Sequence, residues 1–145
     1  MNTQNQYIKP QEPIAHPIHP LIADRWSPRA FSDKTLSQSE LNSLFESVRW
    51  SASSSNVQPW RFIYAFRSSD AHDKIVETLA NGNQLWAKKA PVLMITLTKT
   101  QLESGKPNVP AEHYLGLAKG YLSLQATSMW VVLHQMAGFT SAKSQ

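Results

Sequence analysis

Ser53-Ser54-Ser55-Asn56-Val57-Gln58-Pro59-Trp60-Arg61-Phe62 lies where a helix-like stretch gives way to a strand-like one. That change of hydrophobic period points to a fold built from both helices and strands. The segment carries hydroxyls, carboxamides and an indole, with Arg61 as its one charge. Such directional, uncharged groups suit a polar, planar partner better than a metal or a phosphate. Loops held between rigid elements are where binding groups concentrate. The competing reading is a capping-and-turn segment, because Ser, Asn and Pro all favour turns.

Upstream, Thr35 to Ala52 reads as a helix. Ser37-x-x-Glu40 has the spacing of a capping box, and Leu41, Leu44, Phe45 and Val48 form an apolar stripe. Downstream, Arg61 to Phe66 reads as a strand rich in aromatic and β-branched residues. Asp70 to Asn81 has helical spacing, with Ile75, Val76 and Leu79 facing inward and Gly82 as its stop. Asn83 to Lys89 supplies another helical turn or two, and Pro91 to Thr98 a buried strand. Thr100 to Pro110 is a polar loop. Ala111 to Ala137 reads as one long helix, apolar on most sides and closed by Gly138. Before all of these, Ile14 to Asp24 has room for a short helix, limited by Pro17 and Pro20. Two strands do not make a stable sheet unaided, so a further strand is expected from elsewhere.

The chain has 145 residues, enough for one domain with a proper core. Residues 1–13 are expected to form a flexible tail and residues 14–145 the domain. The net charge of +4 and pI near 9.5 favour an anionic ligand. Lys and Arg are scattered, so no nucleic-acid partner is expected. There is no Cys, which excludes disulfides, thiolate catalysis and zinc–thiolate sites. The most apolar stretch, Leu115 to Ala137, is broken by Lys119, Gln125, His134 and Gln135, so no membrane span is expected. A cytoplasmic location follows from the polar, Pro-rich start.

Arg25-Trp26-Ser27-Pro28-Arg29-Ala30-Phe31 is the second informative segment. In extended chain, alternate residues point the same way, so Arg25, Ser27 and Arg29 share a face. Two guanidiniums and a hydroxyl suit a phosphomonoester, whose oxygens guanidinium binds bidentately. A solvated basic loop is the alternative. His16-x-x-His19 has no carboxylate companions and an unsuitable Pro-flanked backbone, so no metal is expected there. His134 is expected within the long helix as a hydrogen-bonded core residue, and His72 and His113 at the surface or in caps. No nucleophile–base pair or paired carboxylates emerge, so no catalytic side chain is assigned.

Taken together, these segments resemble the nitroreductase family of flavin enzymes. The matching pieces are Arg25 to Phe31, Ser51 to Phe62, Asn83-Gln84-Leu85-Trp86 before Ala90-Pro91-Val92, Gly116-Leu117-Ala118 through Gln125-Ala126-Thr127, and His134 to Phe139. They stand in family order over residues 15 to 142. The resemblance implies an α+β, nitroreductase-like fold: a central antiparallel or mixed sheet flanked by helices, in a homodimer with FMN at its interface. It implies that Arg25, Trp26, Ser27 and Arg29 hold the FMN phosphate and ribityl chain. Ser53, Ser54 and Asn56 then approach the flavin bound mainly by the partner subunit, and Trp60 is structural. The implied activity is that of an oxidoreductase. It passes electrons from NAD(P)H through bound FMN to a nitroaromatic, quinone or similar small acceptor by a ping-pong course. A non-catalytic flavin-binding or interaction protein derived from the fold is the alternative.

Three departures from the family pattern stand out. Ala52 replaces a frequent Pro. Trp130 replaces a Gly that is expected to permit close packing, so its indole is expected to crowd a neighbour. Family members continue for about fifty more residues, a usual increment for a domain of this size. The chain is therefore expected to be truncated, lacking the C-terminal strands.

Overall fold

In the computed structural model, residues 13–139 are described. The expected tail at residues 1–13 lies almost wholly outside them. Five α-helices, a 3-10 turn and two strands follow in the order α1 (Pro20–Asp24), α2 (Gln38–Arg49), the 3-10 turn (Ser54–Asn56), β1 (Trp60–Phe66), α3 (Asp70–Thr78), α4 (Asn81–Ala87), β2 (Val92–Thr98) and α5 (Ala111–Ser128).

The α2 helix starts where its sequence demands. The Ser37 Oγ accepts from the Glu40 N–H at 3.2 Å, and the Glu40 carboxylate accepts from the Ser37 N–H at 2.8 Å. Both halves of the capping box are thus made. The Ser37 backbone N–H and hydroxyl also hold the Glu40 carboxyl below its ordinary range.

β1 and β2 pair antiparallel, with Phe62 opposite Thr96 and Ala65 opposite Leu93. Alternation along the strands divides the core into two. Trp60, Phe62, Phe66 and Met94 face Leu41, Leu44 and Val48 of α2 and Ala118, Leu122 and Ala126 of α5. Ala65, Leu93 and Ile95 face Ile75 of α3, with Leu79 and Ala87 behind. The architecture is a helical layer on each side of a small antiparallel sheet. Among the described residues that sheet has two strands. Consecutive β2 residues from Val92 to Thr96 border an apolar cavity of about 330 Å³. Consecutive residues of a strand point to opposite faces, so this cavity runs along the strand's edge. No helix among the described residues is long and apolar enough to cross a membrane.

Three expectations are corrected. The last helix ends at Ser128, nine residues before Ala137. Trp130 takes a left-handed conformation (φ 57°). Its N–H reaches the Thr127 carbonyl at 3.1 Å, and the Val131 N–H reaches that of Ala126 at 2.9 Å. This pair of bonds is the Schellman ending, whose left-handed position ordinarily holds Gly. The reason for a Gly at this site is therefore backbone conformation. The Trp130 indole is 90% exposed and so crowds no neighbour among the described residues.

The helix expected over Asp70 to Asn81 likewise stops early, at Thr78, and Gly82 lies inside α4. Leu79 is extended because it bridges Phe139, and the Ala80 N–H donates to the Gly138 carbonyl at 2.9 Å. Gly138 closes no helix. A Cβ there would stand 2.8 Å from the Asn83 amide nitrogen, so glycine permits the close approach.

His72 is the third correction. It sits in the first turn of α3 but is 1% exposed, with Nε2 3.2 Å from the Ala90 carbonyl. The carbonyl can only accept, so Nε2 carries the proton.

Candidate functional site

The segment after α1 leaves the helix extended at Arg25 and bends at Arg29. Arg25 and Ser27 point the same way: the Arg25 Nη1 donates to the Ser27 Oγ at 3.3 Å. Both are exposed. Trp26 between them is half-buried and Pro28 buried, so the apolar residues anchor what the polar ones present. Arg29 is exposed too, but its guanidinium lies 5.7 Å over the Trp86 ring. Such a stack steadies the guanidinium while leaving its N–H edge free to donate. Among the described residues neither Arg25 nor Arg29 is within ion-pair range of a carboxylate. Two uncommitted guanidiniums beside a hydroxyl are a donor set that fits an anion carrying several oxygens.

What holds this segment comes from far along the chain. His134 lies beyond α5, in the extended stretch that Trp130 launches, and its Nδ1 is 2.9 Å from the Pro28 carbonyl, 106 positions away. The His134 ring stands 4.5 Å from that of Trp86, and Phe31 stacks on the same indole at 6.2 Å. Further on, Arg67 Nη2 donates to the Asp33 carbonyl at 3.4 Å and Nη1 to that of Lys89 at 2.9 Å. The expectation that His134 is hydrogen-bonded holds, but outside the helix. In the sequence Trp86 carries one signal of this role, its place in the Asn83-to-Trp86 match.

The second segment is built locally. The Ser53 Oγ accepts from the Gln58 N–H at 3.1 Å, and the Gln58 amide donates to the Asn56 side-chain oxygen at 2.8 Å. Ser55, Asn56 and Gln58 all have left-handed φ (51°, 52° and 47°). Non-glycine residues held there cost of order 1–3 kcal/mol each, with Asn at the low end, and such strain gathers at functional sites. Ser54, Ser55 and Asn56 are exposed, whereas Pro59 and Trp60 are buried and root the loop in the sheet. Trp60 is structural, as expected. Among the described residues no hydrogen bond joins this loop to the Arg25–Phe31 segment. The other candidate, His19, is taken up as the cap of α1, its Nδ1 accepting from the Leu21 N–H at 3.2 Å.

Comparison with known proteins agrees with this architecture. The sequence profile of the nitroreductase family matches residues 22–143. A crystal structure described as an oxidoreductase containing FMN superimposes with a TM-score of 0.82 at 36% identity, covering 88% of this chain and 66% of that one. A Streptomyces coelicolor protein with the provisional name NADH dehydrogenase/NAD(P)H nitroreductase is 23% identical over 142 residues, covering 84% of this chain and 70% of that protein. The major NAD(P)H-flavin oxidoreductase of Aliivibrio fischeri is 36% identical over 72 residues, 49% of this chain and 33% of that enzyme. The chain thus spans about two thirds of the length of the first two.

Proposed function

The chain belongs to the nitroreductase family, and from that premise we propose that it works as an FMN-dependent oxidoreductase. Electrons pass from NAD(P)H to a nitroaromatic, quinone or similar small acceptor in a ping-pong course. The observation that carries this reading is the donor set of Arg25, Ser27 and Arg29 on one pinned segment, uncommitted to any carboxylate among the described residues.

Bound FMN supplies the redox chemistry, and the protein supplies binding, orientation and electrostatics. In that division Arg25 and Arg29 neutralise the phosphate, Ser27 donates a further hydrogen bond and Trp26 borders the ribityl chain. Ser53, Ser54 and Asn56 offer uncharged hydrogen-bond groups to the flavin of a partner subunit. That no hydrogen bond joins the two segments among the described residues is consistent with their serving different sites of a homodimer. So is the exposed strip of α5, where Leu117 (39% exposed) and Tyr121 (47%) lie beside Gly116 and Gly120. Apolar residues with glycines between them allow close packing of another surface. A cytoplasmic location belongs to the same reading.

The test is reconstitution of purified protein with FMN. The expected outcome is a yellow protein that retains flavin through gel filtration, elutes as a dimer and oxidises NAD(P)H with a nitroaromatic or quinone acceptor. A colourless monomer that gains no flavin overturns the proposal. A yellow protein without turnover leaves a non-catalytic flavin binder.

A further inference from the structure

Arg25 and Arg29 present the donors, but neither determines where its own backbone lies. The backbone between them has few ways to be held. Pro28 has no N–H, so at that residue the backbone offers only its carbonyl for anchoring. The Pro28 carbonyl meets His134 Nδ1 at 2.9 Å. A carbonyl only accepts, so Nδ1 carries a proton and donates it to Pro28. His134 is in turn held against Trp86 at 4.5 Å between ring centres. The same indole carries the Arg29 guanidinium at 5.7 Å and Phe31 at 6.2 Å. One aromatic side chain of α4 therefore touches both ends of the arrangement: the arginine directly, and the backbone before it through His134.

Building on the phosphate reading above, we propose that Trp86 and His134 are positioning residues that clamp Arg25–Arg29 in the shape that favours a phosphomonoester. Neither residue need touch the ligand. Their effect is to keep Arg29 and the Arg25–Ser27 pair at a fixed separation before the anion arrives. A preorganised donor set loses less freedom on binding, and that saving appears as affinity for the phosphate alone. The clamp therefore sets discrimination between FMN and riboflavin, which differ only by that phosphate, and leaves affinity for the ring system unchanged.

The experiment compares wild type with His134→Leu, His134→Asn and Trp86→Leu. The asparagine variant keeps a nitrogen donor near the position of Nδ1, so it separates the hydrogen bond from the ring. FMN and riboflavin dissociation constants are measured for each. The leucine variants are expected to lose about tenfold in FMN affinity, the worth of one hydrogen bond or well-packed contact. Riboflavin affinity stays unchanged, and His134→Asn recovers most of the FMN loss. Equal losses for FMN and riboflavin, or FMN affinity unaltered in both leucine variants, overturn the clamp.

A second measurement needs no flavin. Trypsin cleaves after exposed Arg25 and Arg29 once the segment loosens. Cleavage there is expected to quicken in the leucine variants, with inorganic phosphate protecting wild type and His134→Asn but not His134→Leu. Cleavage at wild-type rate in His134→Leu overturns the clamp. Wild type that binds neither flavin while showing this tryptic pattern overturns the FMN assignment and sustains the clamp on phosphate.

Discussion

The Arg25–Phe31 segment and the Ser53–Gln58 loop are both short, exposed and polar, yet they are held by opposite means. The first has no left-handed residue and takes its shape from partners distant in sequence, Trp86 and His134. The second takes its shape from itself, through Ser53 to Gln58 and Gln58 to Asn56, with three residues in the left-handed region. The difference teaches where each is vulnerable. A segment held by tertiary contacts fails when a remote residue changes. A self-bonded loop fails when its own short-range bonds are cut, and it carries its conformational cost within its own backbone.

The largest expected effect tests whether the pinned segment is the phosphate site. Arg25→Ala and Arg29→Ala should each weaken FMN binding by about ten- to a hundredfold, the range of charge-assisted bonds of about 1.5–3 kcal/mol. Turnover per bound flavin should change little. Equilibrium dialysis with FMN checks this, and wild-type affinity in both variants would remove the assignment. Ser54→Ala should leave phosphate-dependent affinity intact, since the proposed function assigns that loop to the flavin of the partner.

The next prediction concerns the turn that launches His134. Trp130→Gly should stabilise the protein by about 1 kcal/mol, because glycine accepts the left-handed position without the Cβ conflict. The highly exposed indole makes little packing to lose. Denaturant unfolding measures this, and a destabilised variant would overturn the assignment of Trp130 to a position that favours glycine.

Cutting the second segment's own bond should cost a similar amount in the other direction. Ser53→Ala leaves the Gln58 N–H without its acceptor and is expected to lose about 1 kcal/mol. Hydrogen exchange at the Gln58 amide should quicken, while protection around Arg25–Phe31 stays as in wild type. A change that spreads to both segments would break the contrast between them.

The smallest effect lies at the end of α2, just before the loop. Glu46 accepts from the Arg49 Nε at 2.9 Å and the Trp50 indole at 3.0 Å. Those bonds, the arginine's foremost, lower its carboxyl from 4.5 to about 2. A folded value below the unfolded one gives stability that is fully present above the unfolded value. It drains away as pH falls through the folded one. The contribution therefore disappears between about pH 4.5 and 2. The group is fully exposed, so the effect is slight. Acid titration of Trp50 fluorescence against Glu46→Gln should show a transition near pH 2 only with the carboxylate present. A midpoint near 4.5 would show that the pair does not persist in solution.

Much of this is legible in the sequence. The capping box placed the start of α2 because both of its bonds lie within four residues. The aromatic and β-branched content of Arg61 to Phe66 placed β1, which begins one residue earlier at Trp60, and the Arg-x-Ser-x-Arg spacing brought Arg25 and Ser27 to one side. What escaped was set by contacts across the fold. Residues 129–137 have the apolar composition of a helix, and Trp130 lacks the signal that glycine would have given. His72 has the polarity of a surface residue, and its burial follows from the Ala90 carbonyl that waits for it. The division of α3 from α4 has no local breaker, since it is imposed where Leu79 and Ala80 pair with the chain at Gly138 and Phe139.

The Ser53–Trp60 stretch and the Arg25–Phe31 stretch mark the same boundary. By itself the sequence determined the elements whose bonds close within a turn or a strand. It also set the donor chemistry of the two segments and, through their ordered resemblance, the family. Only the tertiary structure decided that His134 meets the Pro28 carbonyl and that Trp86 carries both the His134 ring and the Arg29 guanidinium. Those outcomes depend on groups brought together from as far as 106 positions apart. No local period or propensity carries that information, because the energy that settles it is released only when the layers pack.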